Sequence, residues 1–122
     1  MPTQINPRRG EVWLVNFDPQ VGSEIRKSRP AVVVSANDES RLPVRIIVPF
    51  TDWKTDYGSH YTKVRINPTS INGLNKESAA DAFQIKCVSL GRFMNGRPMG
   101  FLPAAELEDV CIAIRIATGM SD

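Results

Sequence analysis

Between Gly22 and Pro30 the chain reads GSEIRKSRP. This short stretch crowds one carboxylate, Glu24, with three cations, Arg26, Lys27 and Arg29, between two runs that read as β-strands. A third such run ends at Phe50, and Thr51 follows it, opening the polar and aromatic stretch TDWKTDYGSHY. Cations, a carboxylate and hydroxyls on loops suit a reaction on a phosphodiester whose nucleophile already belongs to the substrate. RNA carries one, because its 2′-hydroxyl can attack the adjacent phosphate. The protein then has to orient the groups, move a proton and stabilise charge on the phosphorane. Arginine fits the last task, since its planar fork donates two hydrogen bonds to phosphate oxygens. No metal is required. The residues are compatible with this chemistry without demanding it, for the same stretch also fits a solvated turn. In that case Arg29 pairs with Glu24 in a surface ion pair worth little.

Other chemistries lack their residues. His60 is the only histidine, so a two-imidazole acid–base pair is excluded. No cysteine and histidine stand at metal-ligand spacing, and neither a G-x-x-x-x-G-K loop, a G-x-G-x-x-G loop nor a G-x-S-x-G elbow occurs. Cys87 and Cys111 both lie in apolar settings and are expected to be buried free thiols of a cytoplasmic protein. The N-terminal MPTQINPRRGEVW has no apolar centre, which argues against a secretory signal. No apolar run is long enough to span a bilayer. A net charge of +2 says nothing for nucleic acid by itself, but its distribution is uneven. Lys86, Arg92 and Arg97 lie in a segment without acids, whereas Glu106, Glu108, Asp109 and Asp122 face Arg115 alone beyond Pro103. The first group forms one basic surface with Arg26, Lys27 and Arg29 if the fold gathers them.

The elements that must position these groups are mostly strands. At 122 residues the chain suits one domain, 1–122, with residues 1–8 expected to be flexible. GEVWLVNF (Gly10 to Phe17) is apolar and β-rich and stops at the turn signals of DPQVG. PAVVVSA (Pro30 to Ala36) is a β-branched run of the kind buried on both faces. VRIIVPF (Val44 to Phe50) is a third strand, with Pro49 marking a bulge or an edge. The TDWKTDYGSHY stretch reads as a long exposed loop. TKVRI (Thr62 to Ile66) and AADAFQIKCV (Ala79 to Val88) are the next two strands, and Asn95-Gly96 signals a hairpin between short apolar pieces. PAAELEDVCIAIRIA (Pro103 to Ala117) is a helix, opened by proline and early acids. Its Leu107, Val110, Ile114 and Ala117 recur at helical spacing for burial, while Ile112 and Ile116 form a second strip suited to a subunit contact or to core packing. Strands without intervening helices favour antiparallel pairing. The expectation is a mainly β (α+β) fold, a small barrel or strongly coiled sheet of about five to seven antiparallel strands with a C-terminal helix.

The run RGEVWLVNFDPQVGSE, followed by RPAVVVSAND and IIVPFT, resembles the MazF/PemK family of toxin endoribonucleases, and the likeness extends from Arg9 to Ala117. The resemblance implies an SH3-like, CcdB-like β-barrel and a homodimer that cuts single-stranded RNA at short sequences without metal or cofactor. A cognate antitoxin protein that occupies the RNA groove is implied as partner. The arginine of the RP motif and the threonine after the third strand carry catalysis in such relatives, and these match Arg29 and Thr51. Arg29 is then expected to stabilise the phosphorane, with proton transfer as a second task, and Thr51 to hold the scissile phosphate. Glu24 matches a family acid that orients the arginine or acts as base. Arg26 and Lys27 are expected as RNA contacts, and Gln84 and Lys86 match a Q-x-R pair that lines the groove or the dimer seam. Arg92 is a weaker candidate of the same kind.

Two positions depart from the family pattern. Where many relatives carry an acid before the late-strand glutamine, this chain has Phe83, so that acid's role as base cannot be transferred. Where the family loop is often rich in glycine, this chain has Ile25-Arg26-Lys27-Ser28. Trp53, Tyr57 and Tyr61 are candidates for base stacking, with half-buried packing as the alternative for Trp53. Two other functions use the same fold class: a gyrase poison that cuts nothing, and an inactive SH3-like binding module. The ending ATGMSD lacks the aromatic tail expected of the former. The missing late-strand acid suits the latter.

Overall fold

A computed structural model describes residues 5–19, 21–39 and 41–120. Seven strands form one curled antiparallel sheet: β1 (Glu11–Asn16), β2 (Ser28–Val33), β3 (Val44–Asp52), β4 (Lys63–Ile66), β5 (Ser78–Asp81), β6 (Lys86–Ser89) and β7 (Gly100–Phe101), followed by helix α1 (Ala104–Ala117). Their order is β4-β5-β3-β2-β1-β7, with β6 also paired to β3. The small barrel-like sheet with its terminal helix is the expected fold class. No helix of the described residues is long and apolar enough to cross a membrane.

The curl comes from β3, which changes partner along its length. Val44–Ile47 pair with β6, Ile47–Pro49 with β2, and Phe50–Asp52 with β5. Bending one sheet back on itself buries both of its faces. Val12, Val32, Val48 and Phe50 point to a core closed by Val110 of α1, while Trp13, Val15, Ala31, Val33 and Ile47 point to a second core with Phe93. This is why the first three strands are nearly continuous β-branched runs instead of alternating ones. On α1, Val110 is fully buried and Leu107 and Ile114 pack on the same core, as the helical spacing predicts. Ile112 and Ile116 of the second strip stay exposed.

Several expectations are corrected. Ala79–Val88 is two strands, because Asp81 Oδ1 accepts from Phe83 N at 3.1 Å and turns Ala82–Gln84 into a 3-10 turn. That break lets one segment pair with both ends of β3. Asn95 and Gly96 do form a turn with φ of 68° and 70°, yet no hairpin results. Both arms lie along β1 instead, through the Phe93–Val15 bridge and the Gly100–Val12 pair. The loop after Thr51 contains a 3-10 helix at Thr55–Ser59. Both cysteines are free, but Cys87 is exposed and Cys111 only half-buried. Of the segment 1–8 expected to be flexible, residues 1–4 lie outside the described residues. The rest is tied down: buried Arg45 donates from Nε to the Pro7 carbonyl at 2.9 Å and from Nη2 to Asn6 Oδ1 at 3.0 Å.

Candidate active site and nucleic-acid interface

β2 and β3 pair at Val33↔Ile47, Val32↔Val48 and Ala31↔Pro49. Continuing that register by two residues sets Arg29 opposite Thr51, but the ladder stops first. Pro30 has no N–H to extend it, and from Phe50 onward β3 pairs with β5 while Ser28 and Arg29 stay with β1. The two strands part like an opened fork, and a cleft of about 440 Å³ fills the gap. Arg29 and Thr51 stand on its two sides. Its apolar part is Leu14, Pro30, Phe50, Leu74 and Met99, and its polar part includes Lys27, Asp52, Lys76 and Ser78.

The polar groups of this cleft are under-used. Among the described residues Arg29 spends one donor, Nε to the Arg26 carbonyl at 3.3 Å, of the five that a guanidinium carries. The Thr51 Oγ1 atom is buried without a hydrogen-bond partner among the described residues, a state that costs about 1–3 kcal/mol for a hydroxyl and calls for a reason. Lys76 Nζ lies 2.7 Å from Asp52 Oδ1. The hydrogen bond from Lys76 holds the Asp52 carboxyl below its ordinary value, with further help from the charges of Lys76, Arg29 and Lys54. Arg29 is thus within electrostatic reach of Asp52.

The wall that carries Lys76 is set by a compact loop. Buried Asn72 accepts from Thr69 N and Leu74 N at 3.0 Å each and donates to the Asn67 carbonyl at 2.8 Å. Gly73, with φ +71°, lies so close to Met99 that a Cβ there would sit 2.2 Å from its carbonyl oxygen. Only glycine meets both conditions.

Glu24, Gln84 and Lys86 lie elsewhere. Together with Ser23, Ile25 and Phe83 they line a neighbouring cleft of about 390 Å³. There the Gln84 amide and the Glu24 carboxylate are engaged: Gln84 Oε1 accepts from Ile25 N at 3.2 Å, its Nε2 donates to the Ser23 carbonyl at 3.3 Å, and Glu24 Oε1 accepts from Val21 N at 3.1 Å. No ion pair joins Glu24 to Arg29 among the described residues. Lys27 has φ +65° and its N–H donates to Asp18 Oδ1 at 2.8 Å. Its side chain lines the Arg29 cleft, whereas Arg26 is exposed outside it. Trp53 packs under the Arg65 guanidinium at 5.4 Å and edge-on to Tyr57 at 5.7 Å, so it is outside both clefts. Tyr61 is 80% exposed. Arg92 donates to the carbonyls of Asn16 and Asp18 at 3.0 and 2.6 Å, a structural duty at the end of β1. Asp52, Asn75, Lys76, Ser78 and Asn95 of the Arg29 cleft are the residues that sequence reading missed. Asp52 adjoins Thr51, and its neighbour was the one available signal.

The chain matches, over residues 8–118, the model of the PemK-like, MazF-like toxins of type II toxin–antitoxin systems. It is 33% identical over 115 residues to "Endoribonuclease MazF9" of Mycobacterium tuberculosis, covering 89% of this chain and 93% of that protein. A crystal structure of MazF from Deinococcus radiodurans superposes with a TM-score of 0.76 at 22% identity, covering 93% of this chain and 97% of the other. An endoribonuclease in complex with its cognate antitoxin from a mycobacterial species gives a TM-score of 0.73 at 20% identity, covering 95% and 98%.

Proposed function

Because the chain belongs to the PemK-like, MazF-like toxins of type II toxin–antitoxin systems, we propose that it is a metal-independent, sequence-specific endoribonuclease acting on single-stranded mRNA in the cytoplasm. Its natural counterpart is an antitoxin protein. The observation that carries this reading is the forked end of β2 and β3, where Arg29 and Thr51 share one open cleft.

In the proposed reaction the 2′-oxygen of a bound nucleotide attacks its own 3′-phosphorus. The bond from phosphorus to the 5′-oxygen of the next nucleotide breaks, and the proton lost from the 2′-hydroxyl is balanced by one gained at that 5′-oxygen. Arg29, with four N–H donors uncommitted among the described residues, stabilises the charge that builds on the phosphorane. Thr51 turns its hydroxyl into the cleft and holds a phosphate oxygen, which gives its unpartnered oxygen a use. Lys27 and Arg26 draw the strand in. Glu24, through its bond to Val21 N, and Gln84, through Ser23 and Ile25, hold the loop that delivers Arg29. Lys86 adds positive charge to the rim of the second cleft. A homodimer joins through exposed apolar surface, to which Ile112 and Ile116 of α1 contribute.

Purified protein incubated with mixed RNA in excess chelator tests this. Cuts restricted to a short sequence, absent from Arg29→Ala, are expected. Intact RNA with the unaltered protein contradicts the reading, and impaired DNA supercoiling in its place points to gyrase.

A further inference from the structure

The Arg29 cleft contains a charge pair that phosphate chemistry does not need. Asp52 points a negative charge at a site that is otherwise built for an anion, so a role at the scissile phosphate is unfavourable on Coulomb grounds. Its neighbours suggest a different partner. Lys76 stands 2.7 Å from Oδ1 on a loop fixed by Asn72 and by the close approach of Gly73 to Met99, and both side chains are more than half exposed. The pair presents a cation and a carboxylate side by side in a cleft whose partly exposed apolar residues are Leu14, Pro30 and Met99, with Phe50 and Leu74 buried behind them. An apolar wall with polar groups at its edge suits a nucleobase.

We propose that Asp52 and Lys76 form a base-reading subsite for guanine in the RNA strand, next to the phosphate held by Arg29 and Thr51. This rests on the cleft being the RNA site. Guanine offers, in order along its Watson–Crick edge, the O6 acceptor and the N1–H and N2–H donors. The Lys76 ammonium has donors to spare for O6. A carboxylate has about four acceptor positions, so Asp52 keeps capacity for both guanine donors while it holds Lys76. Adenine and cytosine each bring one donor group to that carboxylate. Uracil brings a single N–H flanked by two carbonyl oxygens, which a carboxylate repels. The order of preference is therefore guanine, then adenine or cytosine, then uracil. Asp52 is ionised at neutral pH, as this recognition requires, and the Lys76 hydrogen bond lowers its carboxyl further.

The test uses short uridine strands with 2′-fluoro sugars, which bind but cannot be cut, carrying guanine, inosine or uracil at one central position. Affinity is read by fluorescence anisotropy. The intact protein is expected to bind the guanine strand about tenfold more tightly than the all-uracil strand, with inosine, which lacks the N2 amine, in between. In Asp52→Asn the guanine-to-uracil ratio is expected to fall below about threefold. Arg29→Ala is expected to weaken all strands alike and leave the ratio unchanged. Equal binding of guanine and uracil strands, or an undiminished ratio in Asp52→Asn, overturns the subsite. Cleavage is scored separately: a guanine preference in a protein that leaves RNA intact removes the enzymatic reading and keeps this one, whereas sequence-restricted cutting with no guanine preference does the reverse.

Discussion

The Arg29 cleft and the Glu24 cleft are nearly equal in size, about 440 and about 390 Å³, and they share the loop that runs from Val21 to Lys27. They differ in where their polar groups are directed. Around Glu24, the carboxylate and the Gln84 amide bond the loop's own backbone. Around Arg29, four guanidinium donors and one buried hydroxyl have no protein partner among the described residues. A folded chain normally satisfies such groups. Leaving them free in one cleft while satisfying them in its neighbour separates a site held ready for a ligand from the scaffold that supports it.

Substitutions should respect that division. Arg29→Ala is expected to slow RNA cleavage by about 100- to 1000-fold, the usual loss when one stabilising donor is removed, as measured by initial rates with a fluorogenic RNA. Thermal stability should be unchanged, because Arg29 makes one long hydrogen bond at 3.3 Å. A comparable rate loss in Glu24→Ala would reverse the roles of the two clefts. Gly73→Ala is expected to act through the fold, since it forces φ +71° on alanine and drives its Cβ against the Met99 carbonyl. A cost of about 1–3 kcal/mol for the strain alone should appear as a lowered melting temperature, together with weaker guanine preference as the Lys76 wall shifts. Gln84→Ala should leave cleavage within about threefold while speeding hydrogen exchange at the Ile25 amide, because it frees that N–H. Antitoxin binding should slow exchange across Gly22 to Pro30, and an unchanged loop would place the antitoxin elsewhere.

The smallest effect concerns pH. Lys76 holds Asp52 below its ordinary value of 3.8. A depressed carboxylate keeps its charge above that value and loses it only as pH falls through the lower one. Guanine preference in the anisotropy assay should therefore be flat from neutral pH down to 3.8. A decline already half complete at 3.8 would mean that Lys76 does not hold the carboxylate, and one well above it would mean that another group carries the preference.

What could be read in the sequence follows the range of the interactions involved. The strands around β1, β2 and β3 are legible because β-branched runs and turn residues act locally, and the fork itself is foreshadowed by Pro30. Arg29 and Thr51 stand out through motifs in those strands. Glu24 and Gln84 belong to equally visible motifs, yet Asp81 turns the chain at Phe83 and carries Gln84 into another cleft. Lys76 and Asn75 were hidden, because their place depends on Gly73 meeting Met99 and on Gly100 meeting Ile71, contacts between segments far apart in the chain. The Asn95-Gly96 signal gave the turn correctly and the pairing wrongly for a similar reason: β1 was the stronger partner for both arms.

The most direct test of the central claim is a double-mutant cycle on cleavage rate with Arg29→Ala, Thr51→Ala and the combined variant. If both groups act on one phosphate across the fork, the double variant should lose clearly less than the product of the single losses, as residues that work as a unit do. Losses that simply multiply, or a Thr51→Ala protein that cuts RNA at the unaltered rate, would contradict it.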